Sequence, residues 1–327
     1  MAPSSVRLRL LVAIPVAVFA LSACGDTFHA PAAVVNGADI TDDELRAGIP
    51  LYQFLASIEQ VACGQPVAGE SLQKACVRLV LSRLVEQEIA IAYAGRHDIT
   101  VADRTIDRTI RSLELRLGGH GELVNQLHRQ GTTYSQFRRL VGRLILVRDV
   151  VRAVAAETIP EQELRQRYEQ ERIQFTNLRV AHILVDRRED AARIAREATP
   201  ENFATLARTN SKDPGSASAG GDLGTVPATQ LDPDFVNAAL ALHPGEISGP
   251  VHTQFGWHVI FLKGVDIIPF QLAKTRLIEQ EAGDAFGAWF RERLRDGSVE
   301  VNPRYGRLDT ATGQVLPVRS TASTPAP

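Results

Sequence analysis

The stretches that decide the fold are RVAHILV at residues 179–185 and FGWHVI at residues 255–260. Each is a short apolar run interrupted by one histidine, a pattern typical of a strand in a buried sheet. Between them lie three helical patterns and one loop rich in Gly, Ser and Asp, namely a helix from Arg188, a helix opened by Thr199 and Pro200, the loop 210–224 and a short helix over 232–240. Residues 177–267 therefore predict a small α+β unit.

Helical patterns flank this unit on both sides. Residues 34–176 begin with a short strand and turn, VVNG, and continue almost entirely as helix, with capping boxes at Thr41 and Thr133. Another helical pattern follows Pro269, within a segment over 268–308. Because an apolar helix face must be buried against another element, we expect this last helix to pack back on the first block. Residues 309–327, rich in Thr, Ala, Pro and Ser, predict a disordered tail.

The overall composition is that of an ordinary globular protein, and it excludes several classes. The 327 residues carry a formal net charge of -2, whereas a general nucleic-acid binder carries a basic excess. Three cysteines are too few for a cysteine-dense scaffold or a zinc-cluster protein. The length favours about two domains.

The N-terminus predicts export. Arg7 and Arg9 precede an uncharged apolar run from Leu10 to Leu21, which is too short to span a bilayer comfortably. Residues 1–23 therefore predict a secretory signal peptide. The string LSAC at 21–24 resembles the lipobox of bacterial lipoproteins. That resemblance implies lipidation of Cys24, a lipidated tether over 24–33, and anchoring to the outer face of the cytoplasmic membrane or elsewhere in the envelope. An uncleaved anchor and a plain signal peptide are the alternatives.

Export leaves two other cysteines, Cys63 and Cys76, as an even pair in an oxidising compartment. They flank the turn-rich stretch GQPVAG, so we expect a disulfide that staples this loop and stabilises it by roughly 3 kcal/mol. A redox-active pair is the alternative, but the twelve intervening residues are unlike a C-x-x-C motif.

Five strings in the α+β unit occur in a specific order, namely AHILV at 181–185, SKDPGS at 211–216, GGDLG at 220–224, PGEISGPV at 244–251 and FGWHVI at 255–260. Together they make residues 178–266 resemble the parvulin-type peptidyl-prolyl isomerases. The resemblance implies an α+β fold class in which a small antiparallel sheet with flanking helices is inserted in an all-helical, chaperone-like domain.

The implied reaction is rotation about an X–Pro amide, whose barrier is ~18–20 kcal/mol because the C–N bond has partial double-bond character. No bond breaks, so neither a nucleophile, a metal nor any other cofactor is expected. An apolar slot for the proline ring and polar groups that stabilise the twisted amide would suffice.

The resemblance also assigns catalytic residues. His182 and His258 correspond to paired histidines that hydrogen-bond and fix one another's tautomers, although two satisfied core histidines would look the same in the sequence. Asp213 corresponds to a position near the substrate carbonyl, and a loop-capping aspartate before Pro214 is the alternative. An ionised Asp213 would repel the carbonyl oxygen, so either its pKa is raised or its influence on amide resonance is purely electrostatic.

By the same resemblance, a second set of residues forms the substrate-binding slot, namely Leu223, Val226, Leu231, Phe235 and Thr253. Val226 departs from the family, because many active members carry an aromatic residue there. This departure implies a shallower pocket. Phe255 and Trp257 are interpreted either as pocket wall or as core.

The helical part resembles PrsA/SurA-type envelope foldases through VVNGADIT at 34–41 and VNPRYG at 301–306. That likeness implies an apolar crevice that holds unfolded or partly folded exported polypeptides with X–Pro bonds. The preferred interpretation is an isomerase and foldase, held at the membrane by its N-terminal lipid. The alternative is a catalytically weak or inactive parvulin-fold chaperone, which the residue Val226 makes plausible. The sequence specifies no oligomeric state.

Overall fold

The computed structural model describes residues 30–297 and 299–318. The predicted signal peptide over 1–23 and the predicted lipidation site Cys24 lie outside the described residues. Within the described ranges, no helix combines the length and the apolar character that a membrane crossing requires.

The chain runs through a helical block, an α+β unit and a final helix with short strands. The first block contains β1 (Ala33–Val35), β2 (Ala38–Ile40), α1 (Asp42–Ile58), α2 (Leu72–Arg96), α3 (Asp103–Leu117), α4 (His120–Arg129), α5 (Tyr134–Thr158) and α6 (Glu161–Gln170). The α+β unit contains β3 (Thr176–Val185), α7 (Arg188–Glu197), α8 (Phe203–Asn210), β4 (Asp222–Pro227), α9 (Pro233–Leu240), β5 (Val251–Thr253) and β6 (Gly256–Ile267). The last part contains α10 (Phe270–Asp296), β7 (Val299–Val301), β8 (Arg307–Asp309) and β9 (Gln314–Leu316).

Local sequence signals begin the helices of the first block. The Thr41 side chain accepts from the backbone N–H of Glu44, whose side chain in turn accepts from the Thr41 N–H, and Thr133 with Gln136 repeats this capping box. The helices pack around buried aromatic and aliphatic side chains, with the rings of Phe54 and Phe137 edge to face at 5.4 Å.

Helix α10 returns to the first block, as the order of the elements predicts. It packs along α5 and α6, and its Phe286, Phe290 and Leu294 are buried in the same core as α1–α5. The fold class is therefore confirmed as an α+β unit inserted in a helical domain. A small three-stranded sheet adds to the helical domain: β1 pairs antiparallel with both β2 and β7 and so ties the two ends of that domain together.

The predicted disordered tail is wrong for residues 309–316, which complete the hairpin β8–β9. Val315 is 1% exposed in the helical core. Its carbonyl accepts from Arg78 Nη1 at 2.8 Å, and its N–H donates to Ser82 Oγ at 2.8 Å. Composition misses these contacts because the partners lie more than 230 positions earlier in the chain. Residues 319–327 lie outside the described part of the chain.

Cys63 and Cys76 form a disulfide, with Cα atoms 4.8 Å apart. The loop that it closes carries Glu70, which forms an ion pair with Arg78; the two side chains are 8% and 10% exposed. The hydrogen bonds from Arg78 lower the pKa of Glu70. The disulfide loop, the ion pair and the C-terminal hairpin are thus parts of one connected buried network.

The α+β unit is a four-stranded antiparallel sheet of order β4-β3-β6-β5. Helix α9 covers one face, where its apolar side chains meet Leu178, Val180, Ile260 and Leu262. Helices α7 and α8 cover the other face around Ile183 and Val259. Since side chains alternate along a strand, His182 and His258 lie on the α9 face.

A small buried cluster joins the α+β unit to the helical domain, at the place where the chain enters and leaves that unit. Its buried residues come from α6, the turn before β3 and the first turns of α10, namely Leu164, Tyr168, Phe175, Phe270, Ala273 and Leu277. The Tyr168 hydroxyl donates to the Ile268 carbonyl at 2.7 Å, and the Ile268 N–H donates to the Phe175 carbonyl at 2.8 Å. These bonds fix where both connections leave the sheet.

Candidate active site

The structure brings the two histidines of the sheet together. In the β3–β6 ladder His182 lies opposite Ile260 and His258 lies opposite Leu184, so the histidines are diagonal neighbours. Their Nδ1 atoms are 3.1 Å apart and their rings are nearly parallel, at 18°. Both histidines are buried on the face of the sheet that α9 covers; His182 is 7% exposed and His258 is 4% exposed.

Asp213 joins the histidine pair from the loop between α8 and β4. Its Oδ2 lies 2.8 Å from His182 Nε2 and accepts from the Ser216 hydroxyl, and its Oδ1 accepts from the Gly215 N–H at 3.0 Å. Partial burial raises the pKa of Asp213, but the hydrogen bonds from Ser216 and His182 outweigh it and lower that pKa to about 2. Of the two alternatives, a raised pKa of Asp213 is therefore wrong, and a purely electrostatic influence on the amide stays a prediction.

Thr253 contacts His258, on the side of the histidine pair that is away from Asp213. Its Oγ1 lies 2.8 Å from His258 Nε2 and accepts from the Phe255 N–H at 3.1 Å. Burial, followed by the neighbouring His182, lowers the pKa of His258 from 6.5 to about 4. His258 is therefore neutral at physiological pH.

When both imidazoles are neutral, these contacts define one direction of hydrogen bonding. A carboxylate only accepts, so His182 presents Nε2–H to Asp213 and its bare Nδ1 accepts from Nδ1–H of His258. His258 Nε2 then accepts from the Thr253 hydroxyl. The hydrogen bonds therefore run in one direction, from the Thr253 hydroxyl through His258 and His182 to the negatively charged Asp213. We call this chain of four side chains the relay.

An apolar wall from α9 faces this relay. The Phe235 ring meets His182 at 5.8 Å and 70°, and meets His258 at 5.4 Å and 88°. Leu223 and Leu231 are half-buried against the cluster that contains Phe235. Val226 is half-buried on β4 opposite Leu178, so it shares the face of the histidines. The predicted substrate-binding residues therefore lie around one apolar face beside the relay, while their contact with substrate stays a prediction.

The sequence left open the place of three residues near the candidate site. Ser216 lies in the quoted string SKDPGS but received no role, and the Asp-x-x-Ser spacing was the available signal. The structure buries Ser216 beside Asp213, at 1% exposure. Phe255 is 67% exposed and hence is not core, whereas Trp257 packs on the opposite face of the sheet with Phe261.

Residues 185–264 match the PPIC-type peptidyl-prolyl isomerase domain, and residues 3–151 match the SurA-like N-terminal domain. The foldase protein PrsA of Caldanaerobacter subterraneus is 30% identical over 253 residues, which cover 74% of this chain and 76% of that protein. The chain belongs to the PrsA foldase family. Its recognition as a parvulin-type peptidyl-prolyl isomerase with a foldase function is thereby confirmed.

A second curated protein and a solved structure are also similar to this chain. The foldase protein PrsA of Clostridium acetobutylicum is 32% identical over 193 residues, which cover 55% of this chain and 58% of that protein. The structure of the peptidyl-prolyl isomerase PrsA from Bacillus cereus matches at 19% identity over 80% of this chain and 90% of that chain, with a TM-score of 0.38.

The buried neutral His258 should make the stability of the isomerase domain depend on pH. Between pH 6.5 and about 4 the unfolded chain binds a proton that the folded domain does not bind at His258. The free energy of unfolding that depends on neutral His258 is fully present above pH 6.5. It falls by about 3 kcal/mol in all as the pH drops from 6.5 to about 4. Urea unfolding near pH 7 and near pH 4.5 measures this difference.

The control for this prediction is His258→Gln, which carries no titrating ring. The variant should be less stable than the wild type near pH 7, and the gap should narrow near pH 4.5. A gap that is the same at both values would show that His258 is protonated equally in the folded and the unfolded chain.

Proposed function

We propose that X–Pro bonds are isomerised over the His182–Asp213 pair, with the proline ring against Phe235, Leu223 and Leu231. The single observation that carries this proposal is an ionised carboxylate, Asp213, bonded at 2.8 Å to a buried histidine beside an apolar wall. The relay through His258 to Thr253 holds that histidine in place. In this proposal Val226 forms the floor of the slot and limits its depth.

The charge of Asp213 has a direct effect on amide rotation. In a planar amide, resonance places partial negative charge on the carbonyl oxygen, and twisting the C–N bond removes that charge. A carboxylate near the oxygen therefore repels the planar amide more strongly than the twisted one. This difference lowers the barrier, because only an interaction that favours the transition state over the ground state accelerates a reaction.

The test is an isomerisation assay on a short X–Pro peptide. Asp213→Asn preserves the shape but removes the charge, and we expect kcat/KM to fall by about 100-fold, as for other preorganised electrostatic groups. His182→Ala should cause a similar loss. The matched control is Asp266→Asn, because Asp266 forms an ion pair with Arg179 at the far end of the same sheet. Wild-type activity in Asp213→Asn would refute the electrostatic role.

Unfolded polypeptide clients suit a foldase, and we propose that they bind between α1, α2 and α5. Two cavities of about 230 and 320 Å³ lie there, on either side of a wall formed by Tyr52 and Gln87. The lining is mostly apolar, and includes the half-buried Leu144 and Val147 and the 59% exposed Val61. Short apolar recesses along one cleft would accept alternate side chains of an extended chain.

Leu144→Glu tests this cleft, with Leu115→Glu as the matched control. Leu115 is 84% exposed on α3 and lines neither cavity. Losing one apolar contact of this size should weaken client binding by about 10- to 100-fold. The readout is suppression of aggregation of an unfolded client by the full chain. Equal suppression by both variants would place client binding elsewhere.

We propose that the protein is exported and anchored in the cell envelope by lipid on Cys24. The Cys63–Cys76 disulfide supports an oxidising compartment. With nine residue steps from Cys24 to Ala33, an anchor on Cys24 would hold β1 within about 30 Å of the lipid. Labelling with a radioactive fatty acid should be lost in Cys24→Ser and retained in the control Cys63→Ser/Cys76→Ser. Label that persists in Cys24→Ser would refute the anchor.

A further inference from the structure

Ser216 lies at the centre of a closed ring of hydrogen bonds around His182. The Ser216 carbonyl accepts from the Gly221 N–H at 2.8 Å, and the Gly221 carbonyl accepts from the His182 N–H at 2.8 Å. On the side-chain level, the Ser216 hydroxyl donates to Asp213 Oδ2 and lies 3.2 Å from His182 Nε2. One short loop thus holds both the backbone and the imidazole of His182.

The backbone hydrogen bonds of this ring place the groups that make its side-chain hydrogen bonds. Gly220 and Gly221 both have a positive φ, +76° and +77°, which turns the chain so that Gly221 meets both Ser216 and His182. The backbone bonds fix the position of Ser216 relative to the ring nitrogen. The hydroxyl therefore needs no rearrangement of the loop to reach Asp213.

The Ser216 hydroxyl carries one proton, which it can donate either to Asp213 or to His182. While Ser216 donates to Asp213, the carboxylate offers only lone pairs to His182, so Nε2 must carry its own proton. The other His182 tautomer would place a lone pair 2.8 Å from the carboxylate oxygen. Ser216 could relieve that repulsion only by turning its proton to Nε2, which would take one donor from Asp213.

We propose that Ser216 is a positioning residue for the isomerase reaction, which holds Asp213 as a carboxylate that accepts from both the Ser216 hydroxyl and His182 Nε2–H. This proposal rests on the proposed role of the His182–Asp213 pair. Ser216 acts through these two groups. This role also explains why the Ser216 hydroxyl is buried, at 1% exposure, although the backbone hydrogen bonds of the loop do not involve it.

The test compares Ser216→Ala with the matched control Ser248→Ala. Ser248 is also a buried serine of this domain, at 7% exposure, and its hydroxyl accepts from the Ile260 N–H at 2.9 Å without touching Asp213 or His182. Two readouts are used on the full chain. Nitrogen-15 NMR of the imidazoles reports the His182 tautomer, and the acid limb of kcat/KM against pH reports the ionisation of Asp213.

In Ser216→Ala we expect the acid limb to move upward by about one to two pH units, since the carboxylate loses a charge-assisted bond. His182 should keep its proton on Nε2 near pH 7, because the carboxylate still only accepts, and should change tautomer only where Asp213 becomes protonated, so that this change moves to higher pH together with the acid limb. Ser248→Ala should leave both readouts at their wild-type values, and Ser216→Thr, which retains the hydroxyl, should restore both.

A Ser216→Ala protein with reduced activity but an unchanged acid limb and an unchanged pH for the His182 tautomer change would overturn the proposal, because the hydroxyl would then serve the loop alone. The NMR readout does not require activity. If Asp213→Asn retains full activity while Ser216→Ala still moves the pH of the tautomer change, the proposed catalytic role fails and the positioning by Ser216 stands.

Discussion

Replacing Gly221 with alanine should destabilise the isomerase domain by about 3–5 kcal/mol and remove most of its activity. Gly221 has a φ of +77°, and a Cβ there would overlap the carbonyl oxygen of His182 and lie 3.1 Å from the Cβ of Ala207. To relieve the overlap, β3 must move away from the loop at His182. That movement breaks the hydrogen bond from the His182 N–H to the Gly221 carbonyl, and it displaces His182 from Asp213.

Gly224→Ala is the matched control for this prediction. Gly224 belongs to the same GGDLG string and has a similar φ of +69°, but no atom of the residues that the structure describes lies within 4 Å of its would-be Cβ. This variant should lose only about 1–2 kcal/mol, the cost of a left-handed conformation for a residue with a Cβ. Thermal unfolding and the X–Pro assay measure both effects. Equal losses in the two variants would mean that conformation alone matters and that the contact with His182 does not.

Replacing Arg78 with methionine should destabilise the helical domain by about 3–5 kcal/mol, the usual cost of leaving a buried charge without its partner. Arg78 binds Glu70 and also donates to the carbonyls of Val315 and Gln65. The substitution leaves the Glu70 carboxylate, 8% exposed, without its cation, and removes one of the two hydrogen bonds that join Val315 of β9 to α2. Hydrogen exchange of the Val315 amide should accelerate together with the loss of stability.

Two comparisons make the Arg78 prediction specific. Arg172→Met breaks a pair with Glu169 in which both side chains are more than half exposed, so its cost should be about 0–1 kcal/mol. The double variant Glu70→Met/Arg78→Met removes both charges and should recover part of the loss. An Arg78→Met protein as stable as Arg172→Met would show that the pair contributes little to the fold.

Much of the isomerase domain could be predicted from the sequence because its signals are local. The apolar run of β3 and the five ordered strings identify the sheet and its two histidines, whose meeting at 3.1 Å follows from the antiparallel pairing of β3 with β6. Capping boxes at Thr41 and Thr133 begin α1 and α5 where expected. These features depend on residues that are close together in the chain or on strand pairing with a fixed period.

Other features depend on groups that meet only after folding. Composition makes residues 309–316 look disordered, yet the hairpin is held by Arg78 and Ser82 of α2. The sequence also left open whether the pKa of Asp213 is raised. Burial alone would raise it, and the outcome depends on whether Ser216 and His182 lie close enough to donate hydrogen bonds.

By itself, then, the sequence determined the family, the inserted arrangement of the domains, the two histidines that meet in the sheet and the two cysteines of the disulfide. Only the tertiary structure decided the charge of Asp213, the direction of the hydrogen-bond relay and the docking of the C-terminal hairpin. The physical reason is the range of the interactions. Backbone propensity and apolar periodicity act over a few residues, whereas a proton's position depends on atoms that approach within about 3 Å from distant parts of the chain.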